Sequence, residues 1–327
     1  MKIGKIPENV LKRSVFKKLT VKREEVLVHP GVGEDCAALT LGPDEALVMS
    51  TDPITGTASE IGNLAFHITA NDIASAGGEL IGMMLTIILP PDSSEDVLVE
   101  IMEQIAQLSV KHQVEIMGGH TEVSAVVNQP FVSVVGVGKV KKSELVTTSG
   151  LEPGDDIVVT KYIGIEGTSI ISHEKEDMLT ERFGKDFVDV AQGFGEMLSV
   201  LEDSRVAMTV GVTAMHDVTE GGLFGALWEM AAASGVGLEI DLKKIPIRQE
   251  TIEICEVFDV NPYLLISSGC MLIGTKKGAQ LVDALEKAGI HGTVIGRATT
   301  GNDRVIINGE ERRFLEPPKV DELYKVI

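Results

Sequence analysis

Cysteine is scarce in this chain: Cys36, Cys255 and Cys270 are the only three among 327 residues. They form no Cys-x-x-Cys pair and no zinc-ligand spacing, which excludes a disulfide framework and points to a reduced compartment. Long apolar runs are missing as well. The longest, such as Met83-Met84-Leu85-Thr86-Ile87-Ile88-Leu89, fall far short of the ~20 residues that a membrane-crossing helix needs. Residues 1–19 lack an apolar signal core, so a cytoplasmic protein with no membrane partner is expected. Basic residues are in deficit too: 29 Lys and Arg against 49 Asp and Glu leave a formal charge of -20. Such a field repels phosphate backbones, so no nucleic-acid partner is expected. Most of the carboxylates serve as solvated surface.

What is present suits a packed globular protein of about two domains, with 44% hydrophobic and 24% charged residues. In the first half, β-rich runs alternate with amphipathic helices. Ala46 to Ser50, Gly82 to Leu89 and Phe131 to Val140 read as strands. Asp92-Ser93-Ser94-Glu95 has capping-box spacing, and Val97, Leu98, Ile101, Ile105 and Leu108 follow at helical intervals. Ile61 to Ala76 reads as a buried helix ending at Gly77-Gly78. The pattern breaks near Thr147 to Gly150, which predicts a boundary with domains at 1–150 and 151–327. After the strand Ile157 to Thr160, helices are expected following Gly167, across Asp186 to Leu201, across Leu223 to Ala233 and from Ala279 to Ala288, with a strand near Met271 to Gly274. Two α/β or α+β domains result.

Four acidic segments of the first domain sit beside glycine or small residues, where side chains can converge on a ligand: Gly33 to Ala38 around Asp35, Ser50-Thr51-Asp52, Ala70-Asn71-Asp72-Ile73 and Gly118-Gly119-His120-Thr121-Glu122. Mg²⁺ requires hard oxygen ligands, and carboxylates gathered at one place repel each other without such a cation. Asn71-Asp72 interrupts an apolar helix, as ligands or as an internal cap. Gly118-Gly119 permits close approach of a phosphate, or is a plain tight turn. His120 and Glu122, two apart on an extended backbone, share one face. In the second domain, Gly164-Ile165-Glu166-Gly167-Thr168 is a loop before a helix, an arrangement that can receive an anion. No Walker loop and no GxGxxG fingerprint occurs. Met215-His216-Asp217-Val218-Thr219-Glu220-Gly221-Gly222 sets titratable groups against a glycine pair. Thr219 could equally cap the next helix, and His216 could be structural.

Taken in order, Gly33-x-Asp35, Thr51-Asp52, Asn71-Asp72, Gly118-Gly119, Gly154-Asp155, Asp217 and Ser267-Ser268-Gly269 resemble the superfamily of aminoimidazole ribonucleotide (AIR) synthetase across nearly the whole chain. The segments Ile61 to Ala74 and Asp217 to Leu223 are most similar to its hydrogenase-maturation carbamoyl dehydratase branch. The resemblance implies an AIR-synthetase-like fold, a homodimer formed through the first domain, and ATP with Mg²⁺ bound by an enzyme that phosphorylates a carbonyl or amide oxygen. It implies Asp52 and Asp72 as catalytic groups and Asp35, Asp52, Asp72 and Glu122 at the metal. Asp35, Asn71, Gly118, Gly119, His120, Thr121, Glu166, Gly167 and Asp217 are implied around the nucleotide. Two departures stand out. His120 occupies a position where Asp or Glu is usual, and the chain as given ends Tyr324-Lys325-Val326-Ile327, without the cysteine that carries the dehydratase's substrate. The substrate is therefore left open, with a thiamine monophosphate kinase or a non-catalytic ATP-binding module as alternatives.

Overall fold

The computed structural model describes residues 4–5, 8–29, 38–54, 60–317 and 320–327. The chain divides into two compact units, one of residues 1–73 with 78–145, the other of residues 74–77 with 146–327. The switch thus falls at residues 145 and 146, a few positions before the break read from the sequence.

The first unit is built on a five-stranded sheet. Its strands, with a short hairpin and three helices, run β1 (Gly4–Lys5), α1 (Glu8–Val10), β2 (Val26–Val28), β3 (Ala38–Leu39), β4 (Glu45–Ile54), α2 (Ile61–Ser75), β5 (Glu79–Leu89), α3 (Glu95–His112), β6 (Glu115–Val123) and β7 (Phe131–Lys141). The sheet order is β1-β6-β5-β7-β4; β5 and β6 are parallel, joined by the α3 crossover, and the other pairs are antiparallel. Helix α2 lies close on β7 because Gly136 and Gly138, two apart, present no side chain to it. A Cβ on Gly136 would meet Thr69 at 2.6 Å and one on Gly138 would meet Ile73 at 2.4 Å. The opposite face carries the β2–β3 hairpin over a small core of Val26, Ile81, Met117 and Val137.

Helix α3 begins at Glu95 with Ser94 as its cap residue and no side-chain capping bond, so the expected box from Asp92 does not form. Glu95 turns instead to Arg13, whose Nε lies 2.7 Å away, and to the Ser14 hydroxyl. At the other end of α3, His112 stacks on Phe66 with centroids 5.7 Å apart, and its Nε2 has no hydrogen-bond partner. Burial pushes the His112 pKa down, with Lys111 adding to the effect. A histidine depressed in the folded state costs nothing above its unfolded value near 6.5 and penalises folding progressively below it. The first unit is therefore expected to lose stability from about pH 6.5 downward. His112→Gln should flatten that part of a urea-midpoint profile, and an unchanged slope would exclude His112 as its source.

The second unit follows as β8 (Asp156–Thr160), α4 (Ile165–Glu174), α5 (Glu176–Phe183), α6 (Lys185–Gln192), α7 (Leu201–Val210), β9 (Ala214–Asp217), α8 (Gly222–Ser234), β10 (Gly237–Asp241), α9 (Gln249–Phe258), β11 (Met271–Thr275), α10 (Gly278–Lys287), β12 (Gly292–Thr299), β13 (Arg304–Asn308) and β14 (Glu311–Phe314). Its seven strands are ordered β14-β13-β10-β12-β8-β11-β9, with only β10 and β13 parallel. Strand alternation separates two layers. Ile157, Val159 and Leu272 join the core under α8, while Val158, Met271 and Ile273 face α7 and α10. The single helix expected across Asp186 to Leu201 is divided: α6 gives way at Gly193 to a 3-10 turn, and α7 begins at Leu201. Gly193 and Gly195 make a continuous helix costly there.

Candidate functional site

Strand β4 and helix α2 bring Asp52 and Asp72 together. On β4 the exposed residues Leu47, Met49, Thr51 and Pro53 alternate with Val48, Ser50 and Asp52, which point to the α2 face. The Ser50 hydroxyl contacts Asp72 Oδ2 and lies 3.4 Å from Asp52 Oδ2. A hydroxyl has one proton and donates to one carboxylate at a time, and two carboxylates drawn to one hydroxyl are a set that a cation favours. Ser50 is the group that the sequence reading passed over; its signal was its place two residues before Asp52, on the same strand face. Asn71 is buried inside α2, which continues through the polar pair to Ser75. Asp35, expected beside these groups, lies outside the described residues.

The glycine segment behaves differently from the expected turn. Strand β6 continues through Gly118 and Gly119 to Val123. In register, Asp52 pairs with Val134, Val134 with Leu85 and Leu85 with Gly119. His120 is one position further, opposite Thr86, and so projects from the other face of the sheet. The same holds for Glu122, whose carboxylate is 3.1 Å from His120 Nε2. Of this segment only Gly119 and Thr121 share the Asp52 face. Glu122 and His120 are therefore a separate pair within one chain rather than ligands converging with Asp52 and Asp72. The reason is the two-residue period of a strand, which a segment read as a turn hides.

Gly119 also has a structural duty. With φ of 150°, a Cβ there would sit 2.0 Å from the Leu85 carbonyl oxygen, whereas a Cβ on Gly118 would make ordinary contact with Met84 at 3.5 Å. Gly119→Ala is expected to destabilise the first unit by roughly 2–4 kcal/mol and Gly118→Ala by less than about 1. Equal melting temperatures for the two variants would contradict this.

In the second unit Glu166 and Gly167 lie not in a loop but in the first turn of α4. The leading amides are already used: Gly164 N-H donates to Ser267 Oγ at 2.7 Å and Gly167 N-H to the Ile266 carbonyl at 3.2 Å. Gly167 is small because a Cβ would meet Leu265 at 2.5 Å. Glu166 is fully buried, and burial raises its carboxyl to about 7 against the opposing Ser268 hydrogen bond, with Asp321 and Glu220 adding to the rise. Ser268 N-H donates to it at 3.0 Å.

Asp217 ends β9 and is buried, accepting from the Ser75 hydroxyl at 3.2 Å; Ser75 belongs to the four residues 74–77 counted with this unit. His216 is held by Glu229 at 3.0 Å, with Thr148 Oγ1 3.5 Å from its other nitrogen, an arrangement that fits a structural role. Thr219 does not cap α8; Gly221, with φ of 80°, precedes its first residue. Among the described residues no three His, Cys, Asp or Glu side chains converge as a preformed metal cage. Asp52 and Asp72 offer two carboxylates, a set that fits Mg²⁺ when phosphate oxygens and water complete the shell. No helix among the described residues is long and apolar enough to cross a membrane.

Residues 33–140 match the N-terminal domain, and residues 152–308 the C-terminal domain, of the AIR synthase related protein family. A protein named as a hydrogenase expression/formation protein in Methanocaldococcus jannaschii is 29% identical over 99% of this chain and 97% of its own length. The carbamoyl dehydratase HypE of Cupriavidus necator is 28% identical over 87% of this chain and 79% of its own. In structure, the hydrogenase maturation protein HypE in complex with ATP superposes with a TM-score of 0.81 at 20% identity, covering 99% of this chain and 97% of that one. Thiamine-monophosphate kinase from Stenotrophomonas maltophilia gives 0.73 at 20% identity, covering 94% and 98%. These likenesses in structure establish a shared fold. With both family domains present in order, the chain belongs to the AIR synthase related protein family and is one of its enzymes.

Proposed function

We propose that the chain is an ATP- and Mg²⁺-dependent phosphoryl-transfer enzyme that activates a carbonyl or amide type of oxygen on a small-molecule or protein-borne substrate. The observation that carries this reading is the Ser50 hydroxyl shared between Asp52 and Asp72. Two carboxylates meeting at one hydroxyl form an oxygen-only set where strand and helix meet, which suits a metal-nucleotide complex. Mg²⁺ bound there would neutralise charge on the transferring phosphoryl group. Asp52 and Asp72 would hold that complex and Ser50 would orient Asp72, while the bare row at Gly119 keeps the face clear. Asp35, Asn71, Thr121, Glu166, Gly167 and Asp217 belong to the same proposal as nucleotide or substrate neighbours. The names of the relatives support its direction, since one is a carbamoyl dehydratase and one structure holds ATP.

The substrate is not carried on Cys255 or Cys270. Both are buried; burial pushes the Cys255 thiol up to about 12 and the Cys270 thiol higher still, so neither offers a thiolate near neutral pH. A homodimer is part of the proposal, supported by two apolar side chains on edge strand β4, Leu47 at 44% and Met49 at 59% exposure.

Calorimetric titration with ATP, with and without Mg²⁺, followed by phosphate release over a panel of carbonyl and amide substrates, tests the reading. No ATP binding in the presence of Mg²⁺ would sink it. Thiamine diphosphate formation would select the kinase alternative, and binding without any turnover would select the non-catalytic one.

A further inference from the structure

The segment after β14 returns to the second unit and ends in a 3-10 turn, Glu322–Lys325. Its anchor is Asp321, which is 4% exposed. One carboxylate oxygen of Asp321 accepts the Gly221 N-H at 2.6 Å; the other accepts the Ile266 N-H at 3.2 Å and the Leu323 N-H at 2.8 Å. The first two donors belong to segments far apart in sequence. Gly221 closes the turn that leaves Asp217, and Gly222 next to it packs so tightly on residues 263–265 that a Cβ would lie 2.7 Å from two of their carbonyl oxygens. Ile266 leads into Ser267 and Ser268, which hold the first turn of α4 through Gly164 N-H and through Glu166.

We propose that Asp321 is a positioning residue: its carboxylate ties the Gly221–Gly222 turn to the Ile266–Ser268 segment and thereby sets where Asp217 and Glu166 stand. Its catalytic consequence rests on the reading above, in which those two carboxylates serve the nucleotide or substrate. The tie is electrostatic as well as geometric. The charges of Asp321 and Glu220 both act on Glu166, and among the described residues no lysine or arginine is paired with either Glu166 or Asp321. Around them, Tyr324 hydroxyl donates to Glu220 at 2.9 Å, Lys325 is engaged by Glu322, and the Cys255 thiol is un-ionised. The remaining residues of the turn act as fasteners: Leu323 is buried with Ile171 and Leu265, and Glu322 accepts the Asn261 N-H at 3.0 Å.

The test compares the full chain with D321N, D321E and E322Q by hydrogen-deuterium exchange and by the pH profile of ATP hydrolysis. In D321N, peptides covering 218–224 and 264–269 should exchange about tenfold faster or more, since the amide loses the charge and keeps only one of the two oxygens that accepted from them. E322Q should loosen only the segment around 261 and 320–327. Removal of the Asp321 charge should also move the Glu166 ionisation, and with it the acid limb of the kcat profile, to lower pH. D321E retains the charge and should restore the limb while recovering exchange only in part, a split that a merely structural residue would not give. If D321N does not fold, D321E against E322Q carries the same comparison. Wild-type exchange in both peptides of the Asp321 variants would overturn the proposal. Absence of ATP hydrolysis in the wild type would defeat the proposed function instead, and the exchange data would still decide whether Asp321 positions the two segments.

Discussion

Asp72→Asn is expected to lower Mg²⁺-dependent ATP hydrolysis by about 100-fold or more, with Asp52→Asn close behind, on the scale of losing one preorganised charge-stabilising group. The physical reason lies in the shared Ser50 hydroxyl, which contacts Asp72 Oδ2 and approaches Asp52 at 3.4 Å. An amide at either position offers the metal a neutral oxygen in place of a charged one, and its NH₂ group can turn toward the other carboxylate. The loss should therefore fall on kcat at saturating Mg²⁺ and deepen when Mg²⁺ is limiting. Because the two acids act as one unit, the double variant should be little worse than the poorer single one. Ser50→Ala should cost only a few-fold, since it removes orientation and leaves both charges. Phosphate release measured against Mg²⁺ concentration decides the matter; a wild-type kcat in Asp72→Asn would remove this pair from the reaction.

Parts of this site were legible in the sequence, and the parts that were not have physical explanations. Helix α2 and strands β4, β5 and β7 stand close to where apolar periodicity placed them, because each buries a continuous face and so writes its period into the chain. The last strands, β12 to β14, were not read. The first strand of the β13–β14 hairpin is only partly buried and the second is exposed throughout, so their sequences carry weak alternation. In sequence the Gly118-Gly119 pair suits close approach of a phosphate or a tight turn, yet here it lets β6 approach Leu85. That one reassignment turned His120 and Glu122 to the other face from Asp52. Asp52 and Asp72 could be listed as candidates, but their meeting through Ser50 depends on a helix crossing a strand 20 residues away in sequence, which no local pattern encodes. Asp321 is a stronger case: an acid near the end of a chain with 49 carboxylates has no feature of its own until its three amide donors are seen.

Asp155 is where the second unit should prove most sensitive. It is fully buried at the turn before β8, and its Oδ2 accepts the Glu152 N-H at 2.8 Å and the Thr213 hydroxyl at 2.6 Å, while Lys276 Nζ lies 2.8 Å from Oδ1. Thr213 immediately precedes β9, the strand that carries Asp217, so one carboxylate fastens the entry of β8 to the entry of β9. Asp155→Ala leaves the part-buried Glu152 amide and Thr213 hydroxyl without their acceptor, at ~1–3 kcal/mol each, and an expected total of about 3–4 kcal/mol. For a unit of this size that corresponds to a melting temperature lower by ~6–15 °C. Lys276 is a different matter: its side chain is 49% exposed, so Lys276→Ala lets water replace the ion pair on one side and should cost less than about 1 kcal/mol. The two single variants therefore separate a structural hydrogen-bond hub on one oxygen from an ion pair on the other oxygen of the same carboxylate. A double-mutant cycle should give a coupling below about 1 kcal/mol. Coupling as large as the Asp155 effect itself would show that the lysine, and not the turn amide and Thr213, is what this buried carboxylate is there to hold.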